Sequence, residues 1–391
     1  MDPIQNPYRP GAGTRPLVLA GREAEIEKAQ NLLLSVKAGA PQRSLMLYGL
    51  RGVGKTVLLN KVERLAEELG FQIEHLEMSE TDDFRRVIAK SVRKILLGLS
   101  TIENLKDKAR RALGILKAFS IAIPGGPELK VDVDAVVGMA DSGDLDSDIV
   151  DLIVALGEAA QESEKPVCLL IDEVQYLREK AVSGLIAASH RISQKGYPVV
   201  FVCAGLPQIA ALAGDARSYA ERLFEFIPIS TLKTDAAEQA LLGPANERGV
   251  EFQNGAKQIV LDETEGYPYF IQEFGKHIWN IAASSPVSDD DARAGADLAV
   301  KSLDQSFFKV RIDRATRAEK QFMKAMASLG SGPYKMGDVA KQRGVVIKSL
   351  GPVRATLIGK GFVYSPSHGF IEFSVPQFDS FLRRHFNGQE T

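Results

Sequence analysis

Eight consecutive residues, Gly49-Leu50-Arg51-Gly52-Val53-Gly54-Lys55-Thr56, constrain this chain of 391 residues more than any other feature. The apolar run LMLY enters them and the amphipathic run TVLLNKVERLAEEL leaves them, so the local order is strand, tight loop, helix. Glycines at 49, 52 and 54 admit backbone angles closed to other residues. Successive N–H groups can then turn inward and, with the N-terminus of the following helix, surround an anion. A lysine and a hydroxyl residue at the head of that helix suit a polyphosphate: Lys55 neutralises its outer phosphates, and the Thr56 hydroxyl binds magnesium. We therefore expect Gly49, Arg51, Gly52, Val53, Gly54, Lys55, Thr56 and Val57 to line a site for ATP or ADP with Mg2+.

Such a loop opens at the carboxyl edge of a parallel sheet. Five segments read as strands separated by helical patterns: residues 44–49 (SLMLYG), 71–78 (FQIEHLEM), 167–173 (VCLLIDE), 199–205 (VVFVCAG) and 223–229 (LFEFIPI). Strands that are apolar along their length imply an α/β fold, a parallel sheet covered by helices on both faces. The third strand delivers Asp172 and Glu173 to the edge on which the loop opens. Asp172 is placed to hold the magnesium through its waters, and Glu173 to polarise the attacking water as the catalytic base.

The remaining segments organise around this core. Helical patterns cover 82–97 and 102–118, and the run IAIPGGPELKVDVDAV, with Pro124-Gly125-Gly126-Pro127 at its centre, reads as a β-hairpin excursion within 119–137. The acidic segment at 141–148 (DSGDLDSD) lacks the closing Glu of a calcium loop and reads as a solvated loop ahead of a helix at 149–162. After Ser230 the pattern turns helical, and from Arg317 it runs helix, helix, helix, strand, turn, strand, helix. Three helices followed by a hairpin is the winged-helix order, which gives domains at 1–232, 233–308 and 309–391.

Charge is unevenly spread. Residues 301–391 carry 15 Lys and Arg against 7 Asp and Glu, about +8, while the preceding 300 carry 33 against 43, about −10. A basic end of this kind suits nucleic acid or an acidic partner. Cys168 and Cys203 sit inside apolar strands and read as buried thiols of a reducing compartment. The start of the chain has no basic stretch followed by an apolar one, and no apolar run approaches the roughly 18 residues of a membrane helix. We expect a cytoplasmic protein with no membrane partner. The five histidines are scattered, and no cluster of His, Ser or Cys suggests a small-molecule substrate.

Taken together the motifs resemble the AAA+ ATPases of the origin-recognition type and the related STAND NTPases, a branch of the P-loop NTPases. Leu17-Val18-Leu19-Ala20-Gly21-Arg22-Glu23 is similar to the Gly-Arg-Glu motif that precedes the phosphate loop in both and lies near the adenine. Gly266-Tyr267-Pro268 resembles the Gly-x-Pro motif of the STAND lid, whose proline touches the base. The resemblance thus assigns Arg22 and Pro268 to the adenine end, residues 233–308 to a helical lid and 309–391 to a winged helix. Arg222, just before the fifth strand and close to Arg217, resembles the arginine with which AAA+ subunits reach into a neighbour's site. A polar sensor at the end of the fourth strand is missing, since Ala204-Gly205-Leu206-Pro207 follows Cys203. Where many AAA+ lids carry an arginine, GYPYFIQ offers none.

The recognition helix of the winged domain is expected at 347–360. Lys348, Ser349, Arg354 and Lys360 would be polar positions, with Leu350, Val353, Leu357 and Ile358 facing the core. What the resemblance implies is an ATP-hydrolysing switch whose nucleotide state repositions lid and winged helix, slowly or on stimulation by a partner. Its output would go to double-stranded DNA through 309–391. The alternative is a STAND-like signalling or defence protein that acts through a protein effector or by self-assembly.

Overall fold

The computed structural model describes residues 1–40, 42–99, 107–122, 133–216 and 220–387. The chain divides into two compact units. One, the sheet unit, comprises 24–48 and 58–228; the other gathers 1–23, 49–57 and 229–391.

The sheet unit follows the expected alternation. Helix α1 (Glu23–Lys37) precedes β1 (Ser44–Tyr48), and α2 (Lys55–Glu68) leads to β2 (Gln72–Glu77). Then come α3 (Phe84–Leu99), α4 (Asp107–Ile121) and α5 (Leu145–Ser163). Strand β3 (Val167–Asp172), α6 (Glu179–Lys195), β4 (Val199–Gly205), α7 (Ile209–Ala216), α8 (Ala220–Leu223) and β5 (Phe224–Pro228) complete it. All five strands are parallel, in the order β2-β3-β4-β1-β5. Strand β4 therefore lies between the strand that leads into the phosphate loop and the one that ends in Asp172. β3 and β4 are buried along their whole length, as central strands of a covered parallel sheet must be. Ile88, Ile95, Leu113, Leu116, Ile149, Leu156 and Ile186 from the flanking helices form the core against Leu169, Ile171 and Phe201.

The expected hairpin lies largely outside the described residues: Ile121 is the last residue of α4, and Pro124 to Pro127 are not described. In the acidic segment Asp148 is buried, not solvated, because its carboxylate accepts from the Ser142 N–H, the Ser142 hydroxyl and the Gly143 N–H at 3.0, 2.6 and 3.1 Å. Those bonds fold the loop, and among the described residues no group of three or more His, Cys, Asp or Glu could hold a metal ion. The two cysteines are free and buried; burial pushes the Cys168 thiol up to about 12 and the Cys203 thiol higher still.

In the other unit, α9 (Thr234–Asn246), α10 (Asn254–Thr264), α11 (Pro268–Ile281) and α12 (Asp289–Ser302) form the helical segment. Ser288 and Asp291 close a reciprocal cap at the head of α12. Leu303–Phe308 winds as a π-helix into α13 (Lys309–Asp313). Then α14 (Arg317–Ala327), β6 (Tyr334–Lys335), α15 (Met336–Arg343), α16 (Gly351–Gly359), β7 (Val363–Tyr364), β8 (Phe370–Phe373) and α17 (Phe378–Asn387) follow. The three strands pair in the order β6-β8-β7. Phe307 stacks on Tyr269 of α11 at 4.9 Å between ring centres, and Phe308 on Phe381 of α17 at 5.2 Å, so the π-helical turn joins the aromatic cores of the helical segment and the C-terminal segment.

Helix α16 is shorter than the expected 347–360, because Ile347–Leu350 winds as a 3-10 turn before Gly351-Pro352. Leu350 and Leu357 are buried and Val353 and Ile358 half-buried, as expected of core positions. Of the expected polar positions, Lys348 and Ser349 are exposed. Arg354 instead donates to the Ser365 hydroxyl at 2.9 Å, and Lys360 pairs with buried Glu319 at 3.0 Å.

Candidate nucleotide site

The phosphate loop starts where β1 stops, at Gly49. Gly52 and Gly54 have φ of +83° and +96°, conformations that a side chain disfavours. A Cβ on Gly54 would meet nothing within 4 Å, so the loop offers an open cradle there. Helix α2 begins at Lys55, which places the positive end of its dipole at the loop. Lys55 is buried, and its ammonium donates to the carbonyls of Gly49 and Leu50 at 3.0 and 2.8 Å. Backbone and charge therefore fit a bound polyphosphate, with half-buried Thr56 and Val57 on the first turn of the helix.

Three groups brace this loop from within the same unit. The buried Arg22 guanidinium donates to the carbonyls of Gly21, Val53 and Ser230 at 3.1, 3.1 and 2.5 Å. The Tyr267 hydroxyl donates to the carbonyl of Arg51, and the Arg51 N–H donates to the carbonyl of Ser374 at 3.1 Å. Both sides of the Arg51 residue are thus engaged, one by the residue before α11 and one by the residue after β8. A Cβ on Gly52 would lie 3.0 Å from the Tyr267 ring, so the ring sits flush on the loop. Burial holds the Tyr267 phenol protonated well above its ordinary range, which keeps it a donor. Pro268 is the first residue of α11, where its missing N–H costs no helical bond.

The sheet unit carries the acidic pair. Asp172 is buried at the end of β3, and its carboxylate accepts from the Glu173 N–H at 2.8 Å. Glu173 stands in the left-handed region at φ 56°, ψ 39°. Its carboxylate accepts from the side-chain amide of Gln175, whose amide oxygen accepts from the Leu206 N–H at 3.0 Å. Gly205 permits that approach, since a Cβ there would lie 2.7 Å from Val174 and 3.0 Å from the Gln175 oxygen. Exposed Arg222 lies at the opposite edge of the sheet, before the first residue of β5. A strand of this length spans about 16 Å, more than an arginine side chain can reach, so the fold does not bring Arg222 to Asp172 and Glu173. Arg217 lies outside the described residues.

Sequence reasoning had missed Gln175, Tyr267 and Ser374. Tyr267 lay inside the Gly-Tyr-Pro motif and could have been singled out there. Gln175 follows Glu173 by two residues, but its bond to Leu206 is a contact across the sheet that no local pattern announces.

Residues 18–202 match the AAA ATPase domain family. This segment belongs to the AAA ATPases. It contains the phosphate loop, Asp172 and Glu173, and the family supports nucleotide binding and ATP hydrolysis as the general activity. Residues 305–382 match a family described as a domain of unknown function. No curated protein matches. Among solved structures, the chain is similar to the Walker-type ATPase Paby2304 of Pyrococcus abyssi, at 14% identity over 96% of this chain and 98% of that one, with a TM-score of 0.58. At that identity the likeness is one of fold. The RuvB Holliday junction branch migration motor of Thermotoga maritima matches at 14% identity over 95% and 99% of the two chains, TM-score 0.47. The Orc1 protein of Aeropyrum pernix, in complex with DNA, matches at 15% over 96% of each, TM-score 0.47. Among the described residues, no helix is long and apolar enough to cross a membrane.

Proposed function

We propose that this chain is a magnesium-dependent ATP switch in which the state of the phosphate loop is passed to the lid, 233–308, and to a C-terminal winged helix, 309–391. The observation that carries this reading is the double engagement of Arg51, by Tyr267 from the lid and by Ser374 from the C-terminal segment. A group that displaces or strengthens either bond biases both segments at once, which is what a switch requires. Lys55 neutralises the outer phosphates, Thr56 and Asp172 hold the magnesium ion, and Glu173 accepts a proton from the attacking water. Arg22 and Pro268 serve the adenine end, Arg22 also by fixing Val53. Arg222, remote from its own acidic pair, acts on the nucleotide of a neighbouring copy, so turnover of the isolated chain is slow and rises with self-assembly or a partner.

The output is double-stranded DNA, drawn by the excess of cations in 301–391. One observation favours a protein effector instead: Val345, Val346 and Ile347, between α15 and α16, are 39%, 73% and 55% exposed. Hydrogen exchange of the full chain with ATP or ADP tests the switch. Different protection at Arg51 and at 374–377 in the two states is expected, and identical protection refutes it. Duplex binding measured across salt concentrations separates the outputs, since only the DNA reading gives affinity that falls steeply with salt.

A further inference from the structure

The acidic pair at the end of β3 is held in an unusual way. Glu173 occupies a left-handed backbone conformation, sparsely populated outside glycine, in which surrounding bonds must hold it. Two such bonds flank it: its N–H goes to the Asp172 carboxylate, and its own carboxylate receives the Gln175 amide. Gln175 is in turn fixed by the Leu206 N–H at the exit of β4, the place where this chain has no polar side chain to offer. Gly205 supplies the clearance, so β4 approaches the turn after β3 closely enough for a main-chain donor to serve there. A side-chain amide suits this post because it both accepts, from Leu206, and donates, to Glu173.

We propose that Gln175 is the positioning residue of Glu173, the group through which the exit of β4 sets where the carboxylate stands for hydrolysis. The inference rests on the reading of Glu173 as the proton acceptor. In that step the water oxygen bonds to the terminal phosphorus, the phosphoanhydride bond to the leaving diphosphate breaks, and the water proton passes to the Glu173 carboxylate. Gln175 touches neither water nor phosphate. It fixes the carboxylate in one orientation, toward the water whose proton it takes.

The test compares the full-length chain with Gln175→Met, which keeps side-chain length without the amide, Gln175→Glu, and Glu173→Gln as reference. Turnover, KM, calorimetric ATP affinity and thermal unfolding are measured for each. Gln175→Met is expected to lower kcat about tenfold to a hundredfold, with ATP affinity within about twofold of the wild type, the size of effect for one hydrogen bond to a charged group that acts in the transition state. Gln175→Glu is expected to lower kcat at least as far, because an ionised carboxylate has no proton to donate to Glu173 and repels it. A purely structural role would lower affinity and stability along with kcat. Unchanged kcat in Gln175→Met, or equal losses of affinity and turnover with a lowered Tm, overturns the inference. Wild-type turnover in Glu173→Gln overturns the reading of Glu173 itself, and the inference with it.

Discussion

Arg22 reaches the phosphate loop directly: its guanidinium donates to the carbonyl of Val53 at 3.1 Å while also holding Ser230 at 2.5 Å. Three carbonyls converge on one buried cation, which ties the loop to the segments before α1 and after β5. Replacing Arg22 with Ala leaves those acceptors without their donor. A loss of about 2 to 4 kcal/mol is expected, the scale of more than one bond to a charged group, together with weaker nucleotide binding. Lysine restores the charge but not the fork, and should recover less than half of the stability. Chemical denaturation and calorimetric titration of both variants decide this.

Lys55 is expected to matter more for binding than for folding. Lys55→Met removes the charge while filling similar volume, and ATP affinity should fall by about 100-fold or more, as one charge-assisted contact to phosphate together with its field is lost. Stability should fall by about 1 to 3 kcal/mol, as the bonds to the Gly49 and Leu50 carbonyls are lost, a smaller effect than that on binding. A titration that still gives micromolar ATP affinity would contradict the assignment of the phosphate site.

At Gly52 the geometry makes a narrower claim. With φ at +83° and the Tyr267 ring 3.0 Å from where a Cβ would stand, Gly52→Ala is both strained and crowded. A destabilisation of about 1 to 3 kcal/mol is expected. Gly70, which has the same φ but nothing near its Cβ, is the control, and its alanine variant should lose less. Thermal unfolding of the pair separates crowding from backbone strain.

The C-terminal segment should respond to acid through Glu319. Burial by itself would raise this carboxyl, but bonds from the Thr316 N–H and hydroxyl and from Lys360 outweigh burial and hold it below the usual carboxylate range. A group depressed in the folded state stabilises above its unfolded pKa, near 4.3, and that contribution is lost as pH falls through the folded value. Glu319→Gln should therefore flatten the acid limb of the stability curve below about pH 4.5 while lowering stability at neutral pH. Equal acid sensitivity of variant and wild type would show that other carboxylates control the limb.

Much of the fold was legible because it rests on local periodicity. The five strands fall within a residue or two of their expected limits. What escaped was set by partners far away in the chain. The run of Ile347 to Leu350 has helical spacing, yet it winds tighter ahead of Gly351-Pro352, and Arg354 and Lys360 turn to Ser365 and Glu319. β6 is too short for any alternation to show, and exists because Tyr334 and Lys335 find Ile371 and Phe370.

By itself, then, the sequence determined the phosphate loop, the acidic pair and the order of strands and helices, since these depend on residue types at fixed local spacings that backbone sterics and burial turn directly into structure. Only the tertiary structure decided that Arg22 holds Val53, that the Arg51 residue is shared by Tyr267 and Ser374, and that Gln175 stands between Leu206 and Glu173. Those contacts are hydrogen bonds between groups separated by 31 or more residues in all but one case, and main-chain carbonyls and N–H groups, which every residue but proline carries alike, leave no mark in the sequence.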